Sequence, residues 1–162
     1  MSLEARTGRN KQVYDESLAR QVAGCIPYDA KTGLVILISS RRHPKRFVYP
    51  KGGWENDETV EQAALRETWE EAGLRGRITA QVGRFDQPSK QNPNVTGTVH
   101  WVYAMEVNEV LDEWPEQSLR IRQSMTIEEA LACIGKKQFM QDALRAFQTV
   151  HARQFKLDRT HL

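Results

Sequence analysis

The chain has 162 residues, 40% hydrophobic and 27% charged, with a formal net charge of +2. That length supports one domain with a sizeable core, and no apolar run approaches the roughly 18 residues of a membrane span. Two cysteines and four scattered histidines exclude a disulfide framework and a zinc pattern. The first residues are polar and lack a signal core. The expected compartment is therefore reducing: cytoplasmic, with the nucleus also open, and secretion only if the N-terminus is processed.

Residues 21–29 and 34–40 read as strands joined by a turn at residues 32–33. The second is continuously apolar, as in a strand buried on both faces. Residues 41–53 mix prolines, glycines and basic side chains and read as a loop around a short strand. Residues 59–72 read as a helix. Thr59 and Gln62 have capping-box spacing, and Gly73 fits the position after the last turn. Leu65, Trp69 and Ala72 are expected on its core-facing side. Residues 78–85 and 98–107 read as further strands, separated by a polar loop at 86–97. A helix over 126–134 opens at Thr126 with Glu129, and a longer amphipathic helix covers 138–155. Strands mixed with helices predict a single α/β layered domain over 1–162, ordered from about 12 to 155. The first twenty residues are expected to be loosely held.

The small net charge hides a strong asymmetry. Residues 1–51 carry ten basic and four acidic residues, a balance of +6, whereas residues 52–74 carry seven acids and only Arg66, a balance of −6. Within the acidic stretch Glu67, Glu70 and Glu71 fall on one side of the predicted helix. Neighbouring carboxylates repel by roughly 0.2–0.5 kcal/mol per pair. The helix C-terminus disfavours each by roughly 0.3–1 kcal/mol more. A divalent cation would cancel this cost, and carboxylate oxygens suit Mg²⁺ or Mn²⁺. A solvated acidic face is the other reading. With a metal site there, the basic segment just before it would border a pocket for a polyanion.

The stretch resembles the Nudix box. Gly52, Glu58, Arg66, Glu67, Glu70, Glu71, Gly73 and Leu74 match its eight other specified positions, and only Thr68 departs, where an apolar residue is usual. The resemblance implies an α/β/α sandwich with a mixed sheet, the box as a loop–helix–loop, and hydrolysis of a diphosphate linked to another moiety. "QVYDESLARQVAGCI", "SSRRHPKRFVYPKGGWE" and "RETWEEAGLRG" further resemble the diphosphoinositol polyphosphate phosphohydrolases. The fungal members, which also cleave diadenosine polyphosphates such as the hexaphosphate, are the most similar branch, over about residues 12–150.

This resemblance implies that Glu67, Glu71 and the Lys51 carbonyl hold Mg²⁺, with Mn²⁺ as a substitute. Glu70 matches the proton acceptor, and an exchange of roles between Glu67 and Glu70 stays open. Arg66 is expected to orient a box glutamate. Glu58 either holds a water or pairs at the start of the helix. Arg20, Ser40, Arg41 and Arg42 match substrate contacts, as do Arg120, Arg122 and one of Lys136 or Lys137. Gln12 stands where animal relatives carry Arg. The expected partner is a polyanionic small molecule, an inositol pyrophosphate or a dinucleoside polyphosphate, with neither membrane nor nucleic acid. Alternatives are hydrolysis of another nucleoside diphosphate derivative or capped RNA, and a non-catalytic inositol phosphate-binding module.

Overall fold

Strand β1 (Arg20–Tyr28) lies inside a seven-stranded mixed sheet in the computed structural model, which describes residues 4–160, with side chains through Arg153. The ends of the expected 1–162 domain lie outside the described residues. After β1 come β2 (Val35–Ser39), β3 (Phe47–Val48), β4 (Lys51–Gly53) and α1 (Val60–Ala72). Then follow β5 (Leu74–Pro88), β6 (Thr96–Val110), β7 (Arg122–Met125), α2 (Ile127–Cys133) and α3 (Gln138–Thr160). The main order is β3-β2-β1-β6-β5; β4 pairs with β1, and β7 with β2. β1 and β6 run parallel from Arg20↔Thr98 to Tyr28↔Glu106, and the other pairings are antiparallel.

Alternation along the strands feeds two cores. Ala23, Cys25, Ile36, Ile38, Tyr103 and Met105 point to the face covered by α1. Ile26, Tyr28, Val35, Leu37, Val102 and Ala104 point to the face covered by α2 and α3, where Leu144 and Phe147 are fully buried. The result is the expected α/β/α sandwich. Among the described residues no helix is long and apolar enough to cross a membrane.

Several expectations need correction. The strands read at 78–85 and 98–107 are each 15 residues long, and the predicted loop at 86–97 shrinks to the tip of their hairpin. Pro88 pairs with Thr96 as the last ladder step, a strand-end position that proline tolerates. β7 was not expected, because its sequence RQSM has no apolar alternation; it is held as a partner of β2. The polar N-terminal residues are not loose throughout. Gln12 bridges Glu55 and Tyr14 bridges Arg20.

Candidate active site

Helix α1 begins and ends as its sequence dictates. The Thr59 hydroxyl accepts from the Gln62 N–H, the Gln62 side chain returns the bond to the Thr59 N–H, and Gly73 closes the helix with φ 63°. Its buried face matches the expected one only in part. Ala63, Ala64, Thr68 and Ala72 pack on the sheet, whereas Leu65 and Trp69 are only half-buried. Small residues let the helix approach closely, and Thr68 is fully buried with its hydroxyl donating to the Ala64 carbonyl at 2.8 Å. Close approach also buries Arg66, Glu67 and Glu70.

Buried charges need partners, and Arg66 supplies them. Its guanidinium grips both oxygens of Glu58, at 2.6 and 2.9 Å, and reaches Glu67 at 3.0 Å and Glu70 at 3.3 Å. It also donates to the Gly53 carbonyl at 3.0 Å, tying the helix to β4. Burial works against its charge, but Glu58 and Glu67 hold the guanidinium well above its ordinary pKa. Arg66 therefore orients the box glutamates as expected, and Glu58 pairs at the start of the helix.

The three clustered carboxylates each meet a different donor. Glu70 accepts from the Arg6 N–H at 2.9 Å. Glu71 accepts from the Lys51 N–H at 3.1 Å and pairs with Arg120 at 3.3 Å. Glu67 has Arg66 on one oxygen; among the described residues its Oε2 accepts no hydrogen bond. Gly52 leaves room for that carboxylate, since a Cβ there would fall 2.2 Å from Glu67 Oε2. Burial first, then Glu71, pushes the Glu67 carboxyl up to about 8. Burial pushes Glu71 up to about 7 against the pull of Arg120 and Lys51, and raises Glu70 as well. Burial is the first cause of all three shifts.

These residues share one cavity of about 650 Å³ with Arg20, Arg41, Arg42 and Arg120. An adjoining cavity of about 680 Å³ contains the same arginines together with Ser40 and Lys137. A larger space of about 780 Å³ lies against Leu65, Trp69 and Leu74 and does not contain Glu67, Glu70 or Glu71. Arg122 joins neither cationic cavity. It donates to the carbonyls of Ala72 and Gly73 and lies 4.2 Å from the Trp114 ring centre, closing the end of α1. Arg120 is largely enclosed between Glu71, Glu116 and the Ser39 carbonyl, so it braces the acidic wall as much as it faces the cavity. Gln12 spends its amide on the carbonyls of Val13, Gln21 and Trp54, and its oxygen accepts from Arg20 Nε at 2.9 Å.

Among the described residues no three His, Cys, Asp or Glu side chains converge as a ready-made ion cage. The implied ligand set does not require one, since it comprises two carboxylates and a carbonyl. Its donors are all hard oxygens, and among the described residues one oxygen of Glu67 accepts no hydrogen bond. The residues present thus fit a hard divalent cation. Arg6, Arg9, Glu116, Gln87 and His100 also line the cavity, and sequence reasoning missed them. Arg6 and Arg9 lie in a polar tail without periodicity, so no local pattern marks them.

Comparison with known proteins agrees with this geometry. The family model described as NUDIX domain matches residues 18–147. Nudix hydrolase 16, mitochondrial, of Arabidopsis thaliana is 41% identical over 158 residues, 88% of this chain and 86% of that one. Diphosphoinositol polyphosphate phosphohydrolase 3-beta of Bos taurus is 32% identical over 124 residues, 74% of this chain and 72% of that one. A NUDIX hydrolase structure from Nitrosomonas europaea superposes with a TM-score of 0.68 at 14% identity, covering 81% of this chain and 89% of that one. A matching box, a matching fold and matching relatives make this chain a member of the Nudix hydrolase family.

Proposed function

We propose that the chain hydrolyses diphosphate bonds in diphosphoinositol polyphosphates and diadenosine polyphosphates, with Mg²⁺ as cofactor. The observation that carries this reading is the cavity itself, where a buried glutamate wall faces a group of arginines. Such a space suits a ligand carrying several phosphates beside a metal-assisted reaction. The Bos taurus relative named as a diphosphoinositol polyphosphate phosphohydrolase supports the choice of substrate.

Glu67, Glu71 and the Lys51 carbonyl would hold the cation. When bound, it would supply positive charge to the pyrophosphate oxygens and lower the pKa of the attacking water. Glu70 would take a proton from the attacking water, and burial raises its carboxyl, which makes it a stronger base than an exposed one. Arg66 keeps Glu67 and Glu70 in place. Arg20, Arg41, Arg42, Ser40 and Lys137 bind the phosphates, with Gln12 holding Arg20 by its Nε and leaving the outer nitrogens for substrate. Arg120 sets Glu71. The reaction is assigned to the cytoplasm, with the nucleus as a second compartment. The mitochondrial designation of the Arabidopsis relative makes organelle fractionation the check.

The test is a substrate panel at fixed Mg²⁺: phosphate release from an inositol pyrophosphate, cleavage of diadenosine hexaphosphate, and cleavage of capped RNA. The first two are expected to turn over well above the third. Glu70→Gln should lower turnover roughly 10²–10⁴-fold while substrate still binds. Capped RNA as the best substrate, or wild-type rates in Glu70→Gln, would refute the respective assignment.

A further inference from the structure

Residues 14–20 close a small loop beside the cationic cavity. Tyr14 and Arg20 pair as an isolated antiparallel bridge. The Asp15 carboxylate gathers the turn, accepting from the Ser17 N–H at 3.0 Å, the Ser17 hydroxyl at 2.8 Å and the Ala19 N–H at 2.9 Å. The Leu18 N–H donates to the Asp15 carbonyl at 2.9 Å. At the tip Leu18 adopts φ 64°, the only positive φ among the described non-glycine residues.

That conformation disfavours a side chain with a Cβ, and glycine or asparagine would hold the same turn with less strain. Core burial gives no compensation, because Leu18 is 80% exposed. Tyr14, at the base of the loop, is 48% exposed. Both side chains line the cavity that also contains Arg20, Arg41, Arg42 and Lys137. A strained, exposed aliphatic tip and an exposed aromatic ring thus line one cavity together with several cations. A ligand that uses both features carries phosphates joined to a flat apolar group. A nucleobase has that character, and aromatic rings stack on bases of any sequence.

We propose that Tyr14 and Leu18 form a nucleobase subsite. It would receive one terminal base of a dinucleoside polyphosphate whose phosphates lie among Arg20, Arg41 and Arg42. The inference rests on the polyphosphate reading above and makes the pair a specificity device. An inositol pyrophosphate, having no aromatic ring, gains nothing from it.

The experiment is calorimetric binding of diadenosine hexaphosphate and of linear inorganic hexaphosphate to the full chain. The proteins compared are the wild type, Leu18→Gly, Tyr14→Ala and the double variant. The wild type is expected to bind the nucleoside-capped ligand about tenfold more tightly than the bare one. The double variant should bind both alike, with affinity for the inorganic ligand unchanged. Leu18→Gly should also raise Tm by relieving the strained φ, which separates lost base binding from lost folding. Equal wild-type affinity for the two ligands, or an unchanged preference in the double variant, overturns the subsite. Failure of the wild type to bind inorganic hexaphosphate would overturn the polyphosphate reading itself.

Discussion

The two walls of the cavity are built in opposite ways. On the acidic wall, Glu58, Arg66, Glu67 and Glu70 are buried and joined by short charge-assisted bonds, with α1 held on the sheet by alanines. On the basic wall, Arg41 and Arg42 stand exposed on the loop between β2 and β3. The comparison separates two tasks. Chemistry at phosphorus needs fixed carboxylates, and fixing them costs desolvation that only a complete network offsets. Gripping a mobile polyanion needs charge within reach, which exposed arginines supply without prior order.

If this contrast is right, damage to the acidic wall appears first as lost stability. Arg66→Ala leaves Glu58 and Glu67 buried without their cation and should cost about 3–5 kcal/mol, read by urea unfolding. A loss no larger than that of a surface substitution would break the comparison.

His100 tests the floor between the walls. It is buried, stacked on Phe139 and hydrogen-bonded to Gln87. Burial, then the nearby cations Lys51, Arg20 and Lys137, pushes its pKa from 6.5 down to about 3. A folded value below the unfolded one means the stabilisation is present above pH 6.5 and is lost as pH falls toward 3. Between pH 7 and pH 5 this amounts to about 2 kcal/mol. His100→Gln should flatten that part of the stability–pH curve, and an unchanged slope would show that the imidazole is not held neutral.

The smallest expected effect lies on the basic wall. Arg41→Ala combined with Arg42→Ala should leave Tm nearly unchanged and weaken binding of the most highly charged substrate roughly tenfold. Less charged substrates should lose less. An equal loss for all of them would mean the two arginines are not a graded phosphate grip.

The acidic wall was legible in the sequence as local spacing, and the cavities also hold the expected Arg20, Ser40, Arg41, Arg42, Arg120 and Lys137, whereas packing faces and long-range contacts were not legible. The glutamate spacing and the caps at Thr59 and Gly73 are local patterns, set by a period of 3.6 residues. The packing face of α1 was read in part: Ala72 packs as expected and Leu65 meets the core half-buried, whereas Ala63, Ala64 and Thr68, too small to stand out, carry much of the contact. β7 was missed because edge pairing with β2 supplies what alternation does not. The extent of the β5–β6 hairpin was hidden by polar residues that a two-stranded edge can expose to water. Arg122 looked like its neighbour Arg120, and only the fold shows that it turns away to the α1 carbonyls. Arg6, which reaches Glu70 across 64 residues of chain, has no sequence signal at all.

The central claim is that Glu67 and Glu71 hold a divalent cation. Calorimetric titration of Mn²⁺ into the full chain at neutral pH, repeated with Glu67→Gln and Glu71→Gln, tests it most directly. The account predicts a saturable site in the wild type, weakened on the order of tenfold or more by either substitution. Equal Mn²⁺ affinity in all three proteins would contradict it.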